Sequence, residues 1–175
     1  MCVKNRKKNV PAIEGEIKQG KVKQTEVYKY LGNYVNEKGN MDDQLKHMEK
    51  KAVSVAREAN KICCQHKVGK FEFEAKKLIY ETQGVPAIYY NIEVWTNLRK
   101  SDIAKLKSIQ GQLLKKLFGM PQSTSYWGLL YELDITPIIH QILYKKLMLF
   151  HNLMNSDDRR IAKKIVGEQL KSGHD

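Results

Sequence analysis

The chain reads as a mainly α protein, a short N-terminal β hairpin or meander followed by a bundle of five or six helices. Three observations predict this. Residues 10–36 are rich in Val, Ile, Thr and Tyr and are punctuated by Gly15, Gly20 and Gly32, the signature of short strands joined by turns. Leu45, Met48, Ala52, Val55, Ala59 and Ile62 then follow one another at alternating spacings of three and four, with no Gly or Pro among them, which is one face of a long helix. Beyond that seam, isolated Gly and Pro residues separate further stretches of the same helical period. With 175 residues, 42% of them hydrophobic and 29% charged, the chain can bury a core and has neither a disordered nor a membrane-spanning composition.

Two pieces, VPAIEGEIKQGKV and TEVYKYLGNYVNEKGN, are expected to be extended. Within the second, Val27, Lys29, Leu31, Asn33 and Val35 fall on one side. Tyr28, Tyr30, Gly32 and Tyr34 fall on the other, so that the strand presents a row of aromatics. Asn40 is placed to cap the first helix, with Asp42 and Asp43 in its positive first turn. That helix should run unbroken over residues 41–65, until the break between His66 and Gly69. A second helix starts near Glu72, with Ala75, Leu78, Ile79 and Thr82 inward. Gly84 and Pro86 make its continuation either a Pro-kinked helix or two consecutive helices.

Ser101 is expected to cap a third long helix that buries Ile103, Leu106, Ile109, Leu113, Leu114 and Leu117 and stops at Gly119 and Pro121. Ser123 or Thr124 caps a short helix reaching about Leu133. Thr136 caps the next, with Pro137 in its first position, and IIHQILYKKLMLFHNLM continues it. From Asp157 the tail is amphipathic through Ile161, Ile165, Val166 and Leu170, then polar and loose.

Charge narrows the partners. The 31 Lys and Arg residues against 19 Asp and Glu give a net charge of +12. Residues 1–30 carry +5, 31–70 and 71–120 carry +3 each, and 121–175 carry +1. Such an excess draws polyanions, nucleic acid first among them. No apolar run approaches the roughly 20 residues of a membrane helix, and the basic N-terminus lacks the apolar core of a signal peptide. Three cysteines, two of them adjacent at Cys63 and Cys64, do not suggest a disulfide framework. The expectation is an intracellular protein, nuclear or cytoplasmic, without a membrane partner.

Catalytic patterns are lacking. Cys63, Cys64 and His66 have no second pair of ligands at zinc spacing, and adjacent cysteines on a helix point about 100° apart. Nothing matches a phosphate-binding glycine loop or a nucleophile elbow. Met41-Asp42-Asp43 spells the carboxylate pair of a polymerase metal site, but opens a helix, where capping and the helix dipole explain it. The same holds for Asp157 and Asp158. A small nuclease built on Asp42 and Asp43 would require Asp42→Asn to abolish a measurable cleavage activity. What remains is binding chemistry. Lysines flank Tyr28, Tyr30 and Tyr34, and the long helix that follows has a basic outer side. Lys and Arg contact phosphates and aromatic rings stack on bases or sugars. Alternatively the tyrosines pack under the helix and the lysines are only solvated.

The string from Val27 through Tyr28, Lys29, Tyr30 and Leu31 to Gly32 resembles the "(F/Y)KYLG" primer-grip segment of non-LTR (LINE-type) retrotransposon reverse transcriptases. The resemblance continues in order. A turn at Gly39 leads to a long helix with Ala52, Ala56 and Ala59. Lys77 to Tyr80, Gly84 to Pro86, and Tyr89-Tyr90 through Glu93 to Trp95 are similar to the family's "lY.t.i.P.l.YG.E.W", with Asn91 where the family has glycine. Ile109, Gln110 and Leu113 to Leu117 resemble "le..Q...lr.i.g". Leu129 to Leu133, Pro137-Ile138, and Leu147 to His151 parallel "l..elg..Pi…rL.f..hl". The likeness spans about residues 20–155.

This resemblance implies a nucleic-acid-binding fragment of an RNA-directed DNA polymerase. Residues 1–39 would be the end of the palm with the primer grip, 40–120 a thumb-like region, and 121–175 a helical extension. The family's Ala-Asp-Asp metal motif would precede residue 1. The chain therefore holds no catalytic or metal residue and no cofactor, Mg²⁺ belonging to the missing palm, and alone should extend no primer. By resemblance, Tyr30, Leu31 and Gly32 stand at the primer's 3′ end, where Gly32 lets the backbone approach closely. Lys46, Lys50, Arg57 and Lys61 are available for phosphates; they are not expected to share one face, so two or three should make contact. The partners implied are a DNA or RNA primer–template duplex and the parent's fingers and palm. The alternative is a basic helical protein-interaction module without a catalytic role, its Leu45–Ile62 seam mating with a partner helix.

Overall fold

The fold is seen in a computed structural model that describes residues 16–17, 20–21, 25–36, 39–66, 72–95 and 98–171, with backbone alone at 16–17, 20–21, 64–66, 94 and 169–171. Two small antiparallel hairpins open it. In the first, β1 (Glu16–Ile17) pairs with β2 (Gly20–Lys21). In the second, β3 (Val27–Tyr30) pairs with β4 (Asn33–Asn36). The expected extended segment at residues 10–15 and the polar tail from residue 172 lie outside the described residues. The helices are α1 (Asp42–His66), α2 (Glu72–Ile79), α3 (Val85–Tyr89), α4 (Lys100–Phe118), α5 (Tyr126–Glu132), α6 (Ile138–Met154) and α7 (Ile161–Lys171). Because α2 and α3 are joined by a π turn into one continuous run, these are six helical rods after a β hairpin, as the periodicity predicts.

α1 is unbroken, and its predicted seam is buried at Leu45, Met48, Ala52 and Ala59, half-buried at Val55, with Ala56 buried in addition. Ile62 at its end is exposed. The alanines let α4 come close. α4 lies beside α1 in the same direction, tied at one end by Lys105 to Asp42 and at the other by Asn60, which donates to the Lys116 carbonyl at 2.8 Å. Leu106, Ile109, Leu113, Leu114 and Leu117 of α4 are buried as expected. Ile103 is only half-buried. The same core continues through Tyr80, Ile88, Tyr89, Ile92 and Trp95 to Leu129, Leu130, Ile138 and Ile142.

The connecting helix departs from its expected inner face. α2 buries no residue at all, Leu78 and Thr82 are exposed, and the inward side chains are Tyr80, Ile88 and Tyr89. After α2 comes a π turn at Tyr80–Gly84, where the Val85 N–H reaches the Tyr80 carbonyl. One extra residue in that turn rotates the helical face and opens space ahead of Pro86, so the proline neither breaks the rod nor splits it in two.

Three expected caps are also corrected. α4 starts at Lys100, and it is Asp102 that accepts the Arg99 backbone N–H at 3.1 Å while Arg99 grips its carboxylate at 2.8 and 2.9 Å; Ser101 lies exposed in the first turn. α5 starts after Ser125, beyond Ser123 and Thr124. α6 starts after Pro137 and is capped from another helix by Gln110.

Gln110 is wholly buried. Its Oε1 accepts the Ile138 N–H at 3.0 Å and the Tyr126 hydroxyl at 2.6 Å. Its Nε2 donates to the Thr136 carbonyl at 3.1 Å and to the Tyr80 and Tyr89 hydroxyls at 2.9 and 3.2 Å. A backbone donor on one side and a backbone acceptor on the other allow one amide orientation only. This side chain thus joins the π turn, α3, α4, α5 and the start of α6. Burial raises the Tyr80 and Tyr89 hydroxyls above their ordinary pKa and pushes Tyr126 up to about 12. All three stay protonated, Tyr126 as a donor to Gln110 and Tyr80 and Tyr89 as acceptors from it.

Candidate nucleic-acid interface

The β3–β4 hairpin is closed by two residues, Leu31 (φ 45°) and Gly32 (φ 83°). Positive φ at both central positions is what a tight hairpin turn needs to match strand twist. Glycine takes it freely; leucine pays in steric strain of about 1–2 kcal/mol. Tyr90, just past α3, holds the turn. Its hydroxyl donates to the Leu31 carbonyl at 2.8 Å, and its ring lies so close that a Cβ on Gly32 would sit 2.7 Å from Cε1. The close approach that Gly32 permits is therefore made by Tyr90. Asn91, where the resembling family has glycine, adopts a left-handed backbone at φ 52°, ψ 25°. Asparagine is among the residues that tolerate it.

This turn splits the expected row of tyrosines. Tyr28 pairs with Val35, Lys29 with Tyr34, and Tyr30 with Asn33. Directly paired residues share a face, so Tyr28 and Tyr30 lie on one face with Val35, and Tyr34 lies on the other with Lys29. A continuous strand would keep alternate residues together; a two-residue turn reverses the chain and changes the parity. Tyr28, Tyr30 and Leu31 are exposed, Tyr30 at 61% and Leu31 at 71%. Tyr34 packs instead on α1, 4.8 Å from the His47 ring between centroids, and its backbone N–H donates to Gln44 Oε1 at 2.9 Å.

The other end of β4 is knotted to the start of α1. Asn36 donates to Asn40 Oδ1 and to Asp43 Oδ2 at 2.8 Å, and accepts the Asn40 N–H at 3.1 Å. Asn40 in turn accepts the Asp42 N–H at 3.3 Å, the expected capping contact. Asp42 points the other way, to Lys105 at 2.9 Å and Arg99 at 3.4 Å. The Lys105 ammonium beside it holds its carboxyl below the usual range. The two carboxylates are thus occupied by helix-start and inter-helix contacts. Among the described residues no group of three His, Cys, Asp or Glu side chains could hold a metal.

Along α1, Lys46, Lys50, Arg57 and Lys61 are all exposed. Their spacings of 4, 11 and 15 residues fall near one, three and four helical turns, which places them within an arc of about 60° and over a length of about 22 Å. They do share one face, contrary to expectation, and it points away from Leu45, Ala52 and Ala56. One helix with no break keeps that register along its whole length. Next to this stripe, His47 is held below its ordinary pKa, first by burial and then by the charges of Lys51, Lys29 and Lys50. Lys29 Nζ also lies 5.8 Å from the centre of the Tyr34 ring. Hairpin and helix together build a cationic corner of Lys29, Lys50 and Lys51. Lys29, Lys51 and Tyr90 are not evident from the sequence, since only the packing of the hairpin against α1 and of Tyr90 against its turn brings them together. A groove of about 260 Å³ between α1 and α4, lined by Asp42, Lys46, Glu49, Lys105 and Ser108, borders the stripe. The surface can hold a run of phosphates on the helix and offer an exposed tyrosine and leucine at the hairpin tip.

No protein-family model matches the chain, and neither a curated protein nor a solved structure matches it. Among the described residues no helix is long and apolar enough to cross a membrane.

Proposed function

We propose that this chain binds a nucleic-acid duplex without reading its sequence, as the thumb and primer grip of a non-LTR retrotransposon RNA-directed DNA polymerase. The observation that carries the reading is the alignment of Lys46, Lys50, Arg57 and Lys61 on one exposed face of α1, beside the corner formed by Lys29 and Lys51. Four cations in a line of about 22 Å match a phosphate backbone that places a charge every few ångströms. The exposed, strained turn at Tyr30, Leu31 and Gly32 would meet the primer end, with Tyr90 as its internal brace. The ordered resemblance along residues 20–155 supplies the polymerase part of the reading; the fingers and palm of the parent, with their Mg²⁺, would complete the cleft.

The protein-interaction alternative placed its contact on the inner seam of α1. From Leu45 to Ala59 that seam is in the core and offers a partner helix no access. Duplex binding is tested by electrophoretic or fluorescence titration of the whole chain with several unrelated duplexes. Charge reversal by Lys46→Glu and Lys50→Glu should weaken binding to all of them equally, because phosphate contacts carry no base information. Binding undiminished by both reversals would make the stripe a merely solvated face.

A further inference from the structure

Resting on the duplex reading above, we propose that the corner between the β3–β4 hairpin and α1 seats one backbone phosphate, with His47 joining Lys29, Lys50 and Lys51 around it by taking up a proton. Two elements bring these groups together. Lys50 and Lys51 stand three and four residues after His47, on its side of α1 and one turn away. Lys29 comes from β3: its Nζ lies 5.8 Å from the centre of the Tyr34 ring, and that ring lies 4.8 Å from the His47 ring. All three lysines are exposed, whereas His47 is half-buried. Of the nearby carboxylates on α1, Asp43 is held by Asn36 at 2.8 Å and Glu49 lines the groove toward α4. Lys50 belongs also to the stripe of Lys46, Arg57 and Lys61, so a backbone that follows the stripe passes the mouth of the corner.

An imidazole so placed has two states with different uses. In the free chain, burial and then the charges of Lys51, Lys29 and Lys50 keep His47 neutral down to a lower pH than an ordinary histidine. A phosphate among the lysines reverses that balance. Its negative charge cancels part of their field, and the protonated ring offers it a charge-assisted N–H bond. Duplex binding and proton uptake then become one linked equilibrium. By whatever factor the duplex strengthens the hold of His47 on its proton, the proton strengthens the hold of the chain on the duplex. A backbone phosphodiester stays ionised throughout this range, so the proton gained belongs to the histidine. A His47 kept only to pack on Tyr34 would show no such linkage.

Fluorescence titration of the whole chain with duplexes lacking terminal phosphates, at fixed salt and at about pH 7.5 and about pH 5.5, tests this. Affinity should rise at least about threefold on acidification, and His47→Gln should remove most of that rise. Lys61→Gln, at the far end of the stripe, should weaken binding at both pH values and keep the rise. In the natural chain, the His47 ring resonances should titrate at higher pH with the duplex bound than without it, a reading that needs no substitution. A gain on acidification that survives His47→Gln, or a His47 titration unmoved by the duplex, would overturn the proposal and leave duplex binding standing. A chain that binds no duplex at either pH would overturn both.

Discussion

Leu31 sits at the hairpin tip with a positive φ and a side chain that nothing in the described structure covers. On the proposed reading, this strained, exposed apolar residue is kept for its contact with the primer end. Leu31→Asn places the turn pair Asn-Gly there, the preferred one for this geometry, and should stabilise the fold by about 0.5–1 kcal/mol while lowering duplex affinity. Chemical denaturation and titration check the two halves, and a loss of stability would contradict the strain. His47 gives the pH dependence. Its pKa is depressed in the fold by burial and by Lys51, Lys29 and Lys50, so the unfolded chain takes up the proton first as pH falls. Stability should be full above about 6.5, the ordinary histidine value, and should decline below it toward the lowered folded value. His47→Gln should flatten that decline in denaturation series across the window. A bound phosphate beside the three lysines opposes their effect, so duplex binding should raise the His47 pKa, which an NMR titration reads directly.

At the scale of elements, what the sequence made legible was whatever depended on local periodicity. The seam of α1 needed only spacings of three and four, and the helix ran from Asp42 to His66. Gly119 ended α4 in the left-handed conformation at φ 68°. The tyrosine faces were not legible, because Leu31-Gly32 is a weak turn signal and one unrecognised reversal exchanges faces. Nor was the inward face beyond Ile79, since a single π turn shifts every side chain after it. The cap of α6 was hidden for another reason. Its acceptor, Gln110, comes from 28 residues away, and no local pattern at Thr136 reveals that. Gln110→Leu keeps much of the volume but strands the Tyr126 hydroxyl, the Ile138 N–H and the Thr136 carbonyl. At about 1–3 kcal/mol for each buried group left unpaired, the loss should be at least about 3 kcal/mol. A loss below about 1 kcal/mol in denaturant unfolding would show that the bonds are not cooperative.

For the whole molecule, one core joins α1 to α6, and two outer surfaces differ in chemistry. One is the cationic side of α1 with its hairpin, the other the largely apolar exposed side of α6. The resemblance along the chain pointed to the first from residue order. The alignment of its four cations required the helix to be continuous, which the sequence predicted, and their shared arc follows from helical geometry once spacing is converted into angle. The second surface was overlooked because apolar residues at helical spacing read as core wherever no structure shows what covers them. The cationic side is the central claim, and salt dependence tests it most directly. Duplex affinity should be measured as a function of salt for the natural chain and for the variant carrying Lys46→Gln, Lys50→Gln, Arg57→Gln and Lys61→Gln. If all four cations neutralise phosphates, the log–log slope on B-DNA should become shallower by about 3.6, at about 0.9 for each lost contact. An unchanged slope would show that the aligned face of α1 does not touch the duplex.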